Sequence, residues 1–105
     1  MVVGNNRVEE YAASDVENIL KNFCDREKEA EIFERKDEEV DFMKRCLRYL
    51  DASEKDILEK IYFDKVSVRK YSALSGFSRN FIVKQKNKSI ELLTKFFNVK
   101  FGIGS

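Results

Sequence analysis

An all-α fold is the prediction, and three observations make it. Proline is absent and glycine occurs four times, twice within the closing GIGS, so few residues interrupt a helix. Apolar residues recur at spacings of three and four along most of the chain, the pattern of helices with one buried face. The most charged stretch, residues 24–42, consists of strong helix formers with Glu–Lys and Glu–Arg pairs at helical spacing. At 105 residues and 43% apolar content, one compact domain with a modest core and room for an extended arm is expected.

Residues 1–6 have little to pack with and are expected to be loose. From about Arg7, the residues Val8, Tyr11, Ala12, Val16, Ile19, Leu20 and Phe23 trace a helical stripe. Ser14 stands three residues before Glu17, as in a capping box. The next stretch has a thin apolar face of Ala30, Ile32 and Phe33, after which Val40, Met43, Cys46, Leu47 and Leu50 restore a full one. Two readings compete for residues 15–50. One is a single helix of ~35 residues and ~50 Å, whose stripe would need a second chain to cover it. The other is two helices broken near Arg35–Asp37 and packed back to back. No Gly or Pro marks a break, which favours the long or weakly kinked form.

Asp51 to Glu54 reads as a connection and a new start, with Ser53 as the cap and Glu54 at the positive helix end. The helix from Glu54 to Phe63 turns Ile57, Leu58, Ile61 and Tyr62 inward. Asp64–Val66 is a loop. Ser67 caps a short helix with Val68, Tyr71 and Leu74 facing in and Ser72 where helices approach closely. Gly76 supplies a turn with positive φ. Ser78 caps a longer helix from Arg79 to about Phe96 or Phe97, with Asn98 as its αL terminator. Val99, Phe101 and Ile103 alternate as an extended tail. Phe96, Phe97 and Phe101 read as core or dimer interface, because an open patch of that size is a liability. The chain accordingly divides into an N-terminal helical segment, residues 1–49, for oligomerisation or partner binding, and a helix-turn-helix domain, residues 50–105.

The formal net charge of +1 hides an asymmetry. Residues 1–66 hold 12 Lys+Arg against 18 Asp+Glu, a net −6, whereas residues 67–105 hold 8 against 1, a net +7. A basic end on an acidic body suits a DNA-facing end and a protein-facing end. Catalysis is not expected: there is no histidine, no phosphate-binding glycine loop and no metal-ligand cluster. Cys24 and Cys46 lack metal-site spacing and fall on apolar helical faces, so both read as core residues. No cofactor or metal is expected. With no signal-like N-terminus and no membrane-length apolar run, the expected location is the cytoplasm.

The span from Ser67 to Leu93 has the layout of a helix-turn-helix. A recognition helix lies in the major groove and offers donors and acceptors from its first turns. Arg79 can pair with guanine, Asn80 and Gln85 with adenine, and Lys84 and Lys88 with guanine or phosphate. Ser67, Arg69, Lys70, Ser78 and Lys86 are the expected phosphate contacts. Phe81 either touches a thymine methyl or packs on the preceding helix, and packing is the preferred reading. Each lysine alone is an ordinary solvated residue. Together, with Glu91 the one acid in the last 39 residues, they read as a DNA face.

Leu50, Glu54, Ile57-Leu58, Tyr62-Phe63, Ser67, Gly76-Phe77-Ser78-Arg79, Ile82 and Leu93 follow one another in the order and spacing of a known pattern. Over these 44 residues (50–93) the chain resembles region four of sigma-70-type bacterial sigma factors. It departs from that pattern at Lys70, Tyr71 and Ser72 and at Lys86, and has no counterpart of the promoter-melting region two. The layout, charged helices before a sigma-like domain, is similar to small phage or mobile-element regulators of the ArpU type. The resemblance implies a sequence-specific transcription regulator that binds double-stranded DNA. It also implies RNA polymerase as a possible partner, since sigma region-four domains dock there. A homodimer is the further expectation. Two alternatives stand beside this: a polymerase- or self-interaction module with secondary DNA binding, and a small terminase-like DNA-packaging subunit.

Overall fold

Six helices and no strand occupy the described part of the computed structural model, residues 10–102. They are α1 (Ala13–Lys21), α2 (Phe23–Ile32), α3 (Glu38–Leu47), α4 (Ala52–Leu58), α5 (Val68–Ser75) and α6 (Arg79–Phe101). A π-helical turn, Glu59–Phe63, continues α4. Residues 1–9 and Ile103 lie outside the described residues, so the loose start, the helical pattern at Arg7 and Val8, and the last position of the tail do too.

The chain between residues 15 and 50 is three helices, not one. Two breaks interrupt it, and neither uses Gly or Pro. At the first, Asn22 leaves helical geometry between α1 and α2. At the second, Glu34 takes the left-handed conformation, φ 51°. The N–H of Arg35 then donates to Ala30 O at 2.9 Å and that of Glu34 to Glu31 O at 3.3 Å, the paired bonds of a Schellman C-cap. Asp37 starts α3 by accepting from the Val40 N–H at 3.2 Å. Arg26 reaches across from α2 with two bonds to the Asp37 carboxylate, 2.7 and 2.8 Å, and one to Glu39, 2.9 Å. α3 therefore folds back, and its apolar stripe is covered within the chain. The long stripe that called for a second copy does not exist.

Caps elsewhere differ in detail from expectation. The N-cap of α1 is Ala12, whose N–H donates to Asp15 at 2.8 Å, and Ser14 is an exposed residue inside the helix. Asp51, not Ser53, caps α4, in a reciprocal box with Glu54 at 2.8 and 3.2 Å. Cys24 is exposed, whereas Cys46 is buried and burial pushes its thiol up to about 11. Leu74 is also exposed, so only Tyr71 and, in part, Val68 face inward from α5.

α6 is the spine. Its 23 residues run ~34 Å and serve two cores. Near its C-terminal end Ile90, Leu93 and Phe97 enter the main cluster with Val16 and Leu20 of α1, Met43 of α3, and Leu58 and Tyr62. Near its start Ile82 joins Ile57 and Tyr71 in a smaller cluster. The main cluster draws on both sides of residue 50, so the two expected segments share one core. Asn98 does not end α6. The helix continues through Phe101, and Val99 and Phe101 are helical rather than extended. The Asn98 side chain instead holds the backbone of Tyr11, accepting from its N–H at 2.5 Å and donating to its carbonyl at 3.1 Å. Tyr11 packs on Phe97, and Phe42 of α3 meets both Phe97 and Phe101.

Candidate nucleic-acid interface

The start of α6 is positioned by short-range bonds and one small core. Ser67 accepts from the Lys70 N–H at 3.1 Å and so caps α5. Gly76 ends α5 with φ 84°, and a Cβ there would meet nothing within 4 Å, so conformation alone asks for glycine. The Ser72 hydroxyl donates to Phe77 O at 2.6 Å, and the Phe77 N–H donates to Ser75 Oγ at 3.2 Å. Ser78 accepts from the Phe81 N–H at 3.1 Å and caps α6. Beneath this turn the Tyr71 hydroxyl donates to Asp56 at 2.6 Å, tying α5 to α4. Burial, then the Asp56 bond, pushes the Tyr71 phenol up to about 12, so it remains a donor at neutral pH. Ile82 is fully buried below and sets the rotation of α6.

That rotation turns Arg79, Asn80, Phe81, Lys84 and Lys88 outward. Asn80, Lys84 and Lys88 follow at four-residue steps and share a stripe about 12 Å long. Arg69 and Lys70 are exposed on α5, and the Ser67 and Ser78 hydroxyls are exposed at the two helix starts. Each hydroxyl oxygen already accepts from a backbone N–H, which leaves its O–H to donate. Gln85 is half-buried at the edge of the stripe. Among the described residues no carboxylate pairs with Arg69, Lys70, Arg79, Lys84 or Lys88.

Lys86 does not join them. Its side chain is 18% exposed and turns toward α1, 3.8 Å from Glu17 and 6.0 Å from the centre of the Tyr62 ring. Glu17 also accepts from the Tyr62 hydroxyl at 2.6 Å. An apolar residue four after Ile82 would continue the buried face, and here the long lysine stem takes that place. Lys86 thus belongs to the junction between α1 and α6 and not to the outer stripe.

Two members of the exposed surface were not foreseen. Asn87 is exposed three residues after Lys84 and seven after Asn80, a spacing that identifies it on the same face. Phe77 is exposed at the turn, its ring 5.0 Å from that of Phe81. Phe81 is 39% exposed, and its aromatic neighbour is this second exposed ring.

A second surface lies at the far end of α6. A groove of about 1000 Å³ between α3 and the last turns of α6 is lined by Phe42, Tyr49, Phe96 and Val99, with Arg45, Arg48 and Lys100. Among the described residues no group of three or more His, Cys, Asp and Glu could hold a metal, and no helix is long and apolar enough to cross a membrane. No family model, curated protein or solved structure matches the chain.

Proposed function

We propose that the chain is a sequence-specific transcription regulator that binds double-stranded DNA through a sigma-region-four-like helix-turn-helix, with α5 as the supporting helix and α6 in the major groove. One observation carries this reading. The first three turns of α6 expose Arg79, Asn80, Lys84 and Lys88, and among the described residues no carboxylate pairs with them. Solvated lysines alone would suit any helix. A glycine turn, two serine caps and an amide beside the cations suit a helix that reads bases and phosphates together. Arg79, Asn80 and Gln85 are assigned to bases. Lys84 and Lys88 take bases or phosphates, and Ser67, Arg69, Lys70 and Ser78 take phosphates. Selection of genomic fragments by the purified protein tests the reading. A shared sequence among the bound fragments is expected, with affinity falling linearly on a log–log salt plot. Fragments no different from the input pool would remove it.

Self-association is a second reading, favoured by the groove at the end of α6. Among the described residues its cations Arg45, Arg48 and Lys100 line it without a carboxylate, while α2 carries Asp25, Glu29 and Glu31 ahead of the exposed Ile32 and Phe33. The proposed occupant is α2 of a second copy. Sedimentation of the wild type and of Phe33→Glu tests it: a dimer that the variant dissociates supports the reading, and a wild-type monomer at every concentration removes it.

A further inference from the structure

We propose that Phe77 and Phe81 form an apolar reader of thymine 5-methyl groups, placed beside the polar contacts of α6. The inference rests on the DNA-binding reading and assigns part of its sequence preference. Both rings are large and apolar, yet 41% and 39% exposed. Their centroids lie 5.0 Å apart at 46°, so each ring shields the other instead of entering a core. Phe81 stands in the first turn of α6, immediately after Arg79 and Asn80 and three residues before Lys84. That is the turn from which a groove-bound helix reaches base edges.

Local hydrogen bonds hold the backbone at both rings. Phe77 is bonded through both its carbonyl, to Ser72, and its N–H, to Ser75. The Phe81 N–H is bonded to the Ser78 cap. Contact therefore requires little ordering of the backbone. The chemistry of the groove supplies the occupant: the thymine methyl is the one apolar group on the major-groove base edges, whereas the other edges present hydrogen-bond donors and acceptors that a phenyl ring cannot satisfy. The cations on either side, Arg79 and Lys84, suit the phosphates flanking such a base.

Deoxyuracil in place of thymine removes the methyl and leaves base pairing intact. On a duplex recovered by fragment selection, each thymine is replaced in turn and binding is measured for wild type, Phe77→Ala and Phe81→Ala. The wild type is expected to lose about fourfold at one or two thymines, the effect of one carbon's worth of buried apolar surface. Phe81→Ala, which keeps its fold because the ring is exposed, should bind the thymine duplex more weakly and show no further loss at those positions. Wild-type binding unchanged by every replacement, or a Phe81→Ala protein with full uracil sensitivity, would overturn the inference while leaving DNA binding intact. Absence of any sequence preference in the wild type would overturn the DNA-binding reading and this inference with it.

Discussion

Replacing Arg26 with methionine tests how the α2–α3 hairpin is held. Arg26 makes two bonds to Asp37 and one to Glu39, and the other Glu39 oxygen accepts from the Tyr11 hydroxyl at 2.5 Å. One guanidinium thus fixes the cap of α3 and, through Glu39, the start of the described chain. The side chains of Arg26, Asp37 and Glu39 are 29%, 19% and 31% exposed. Fully exposed pairs contribute about 0–1 kcal/mol, and breaking a fully buried pair costs about 3–5 kcal/mol. At a fifth to a third exposure, Arg26→Met should cost about 2 kcal/mol, a large share of a typical total of about 5–15 kcal/mol. Urea unfolding followed by circular dichroism measures it, in a cycle with Asp37→Asn and the double variant. A coupling of about 1–2 kcal/mol is expected, and a coupling below about 0.3 kcal/mol, the range of independent sites, would refute the argument.

The same cycle has a pH signature. Burial pushes the Asp37 carboxyl up, but the Arg26 bond and the Val40 N–H together outweigh it and hold the group below its usual range. A depressed folded value means that the stabilisation is complete above about pH 4, the unfolded value, and is lost as pH falls through the folded value. The stability gap between wild type and Arg26→Met should therefore narrow below about pH 4. A gap that widens on acidification would contradict the assignment.

Four further outcomes are expected. Glu34→Gly should stabilise the protein by about 0.5–1 kcal/mol in thermal melts, because Glu34 holds φ 51° at the cap of α2 and glycine adopts it freely. Gly76→Ala should cost about 1 kcal/mol by the same measure, since its φ is 84° and no contact opposes the methyl. The Tyr71 phenol is raised in the fold to about 12, so its contribution is complete below about pH 10 and fades between there and 12; Tyr71→Phe should flatten that loss in the alkaline unfolding profile. Lys84→Ala should lower the slope of log affinity against log salt by about one, and Lys86→Ala, whose side chain faces Glu17 and the Tyr62 ring, should leave the slope unchanged.

Signals that act over three or four residues were legible without coordinates. Ser67 and Ser78 cap the helices they precede, and Gly76 takes the positive φ assigned to it. The inward placement of Ile57, Leu58, Tyr62, Ile82, Ile90 and Leu93 also follows from spacing. What could not be read depends on partners far apart in sequence. The break after α2 needs a left-handed glutamate and an arginine eleven residues from its aspartate. Asn98 looked like a terminator because asparagine tolerates αL, but its amide is used by Tyr11, 87 residues away. Leu74 and Cys24 sit at apolar helical spacing and face outward, because among the described residues no helix packs over that side of theirs.

The sequence by itself determined the all-α class, the helix starts at Ser67 and Ser78, the turn at Gly76 and the charge separation. Those follow from propensity, capping and periodicity, which are properties of neighbouring residues. Tertiary structure alone decided three things. It folded α3 back beside α2, so that the apolar stripe of residues 15–50 packs against α6, Leu58 and Tyr62. It turned Lys86 inward to Glu17 while leaving Lys84 and Lys88 outside. It also left the rings of Phe77 and Phe81 in solvent against each other. Each is a choice among faces of a helix, and the winning face is set by which other helix happens to lie against it.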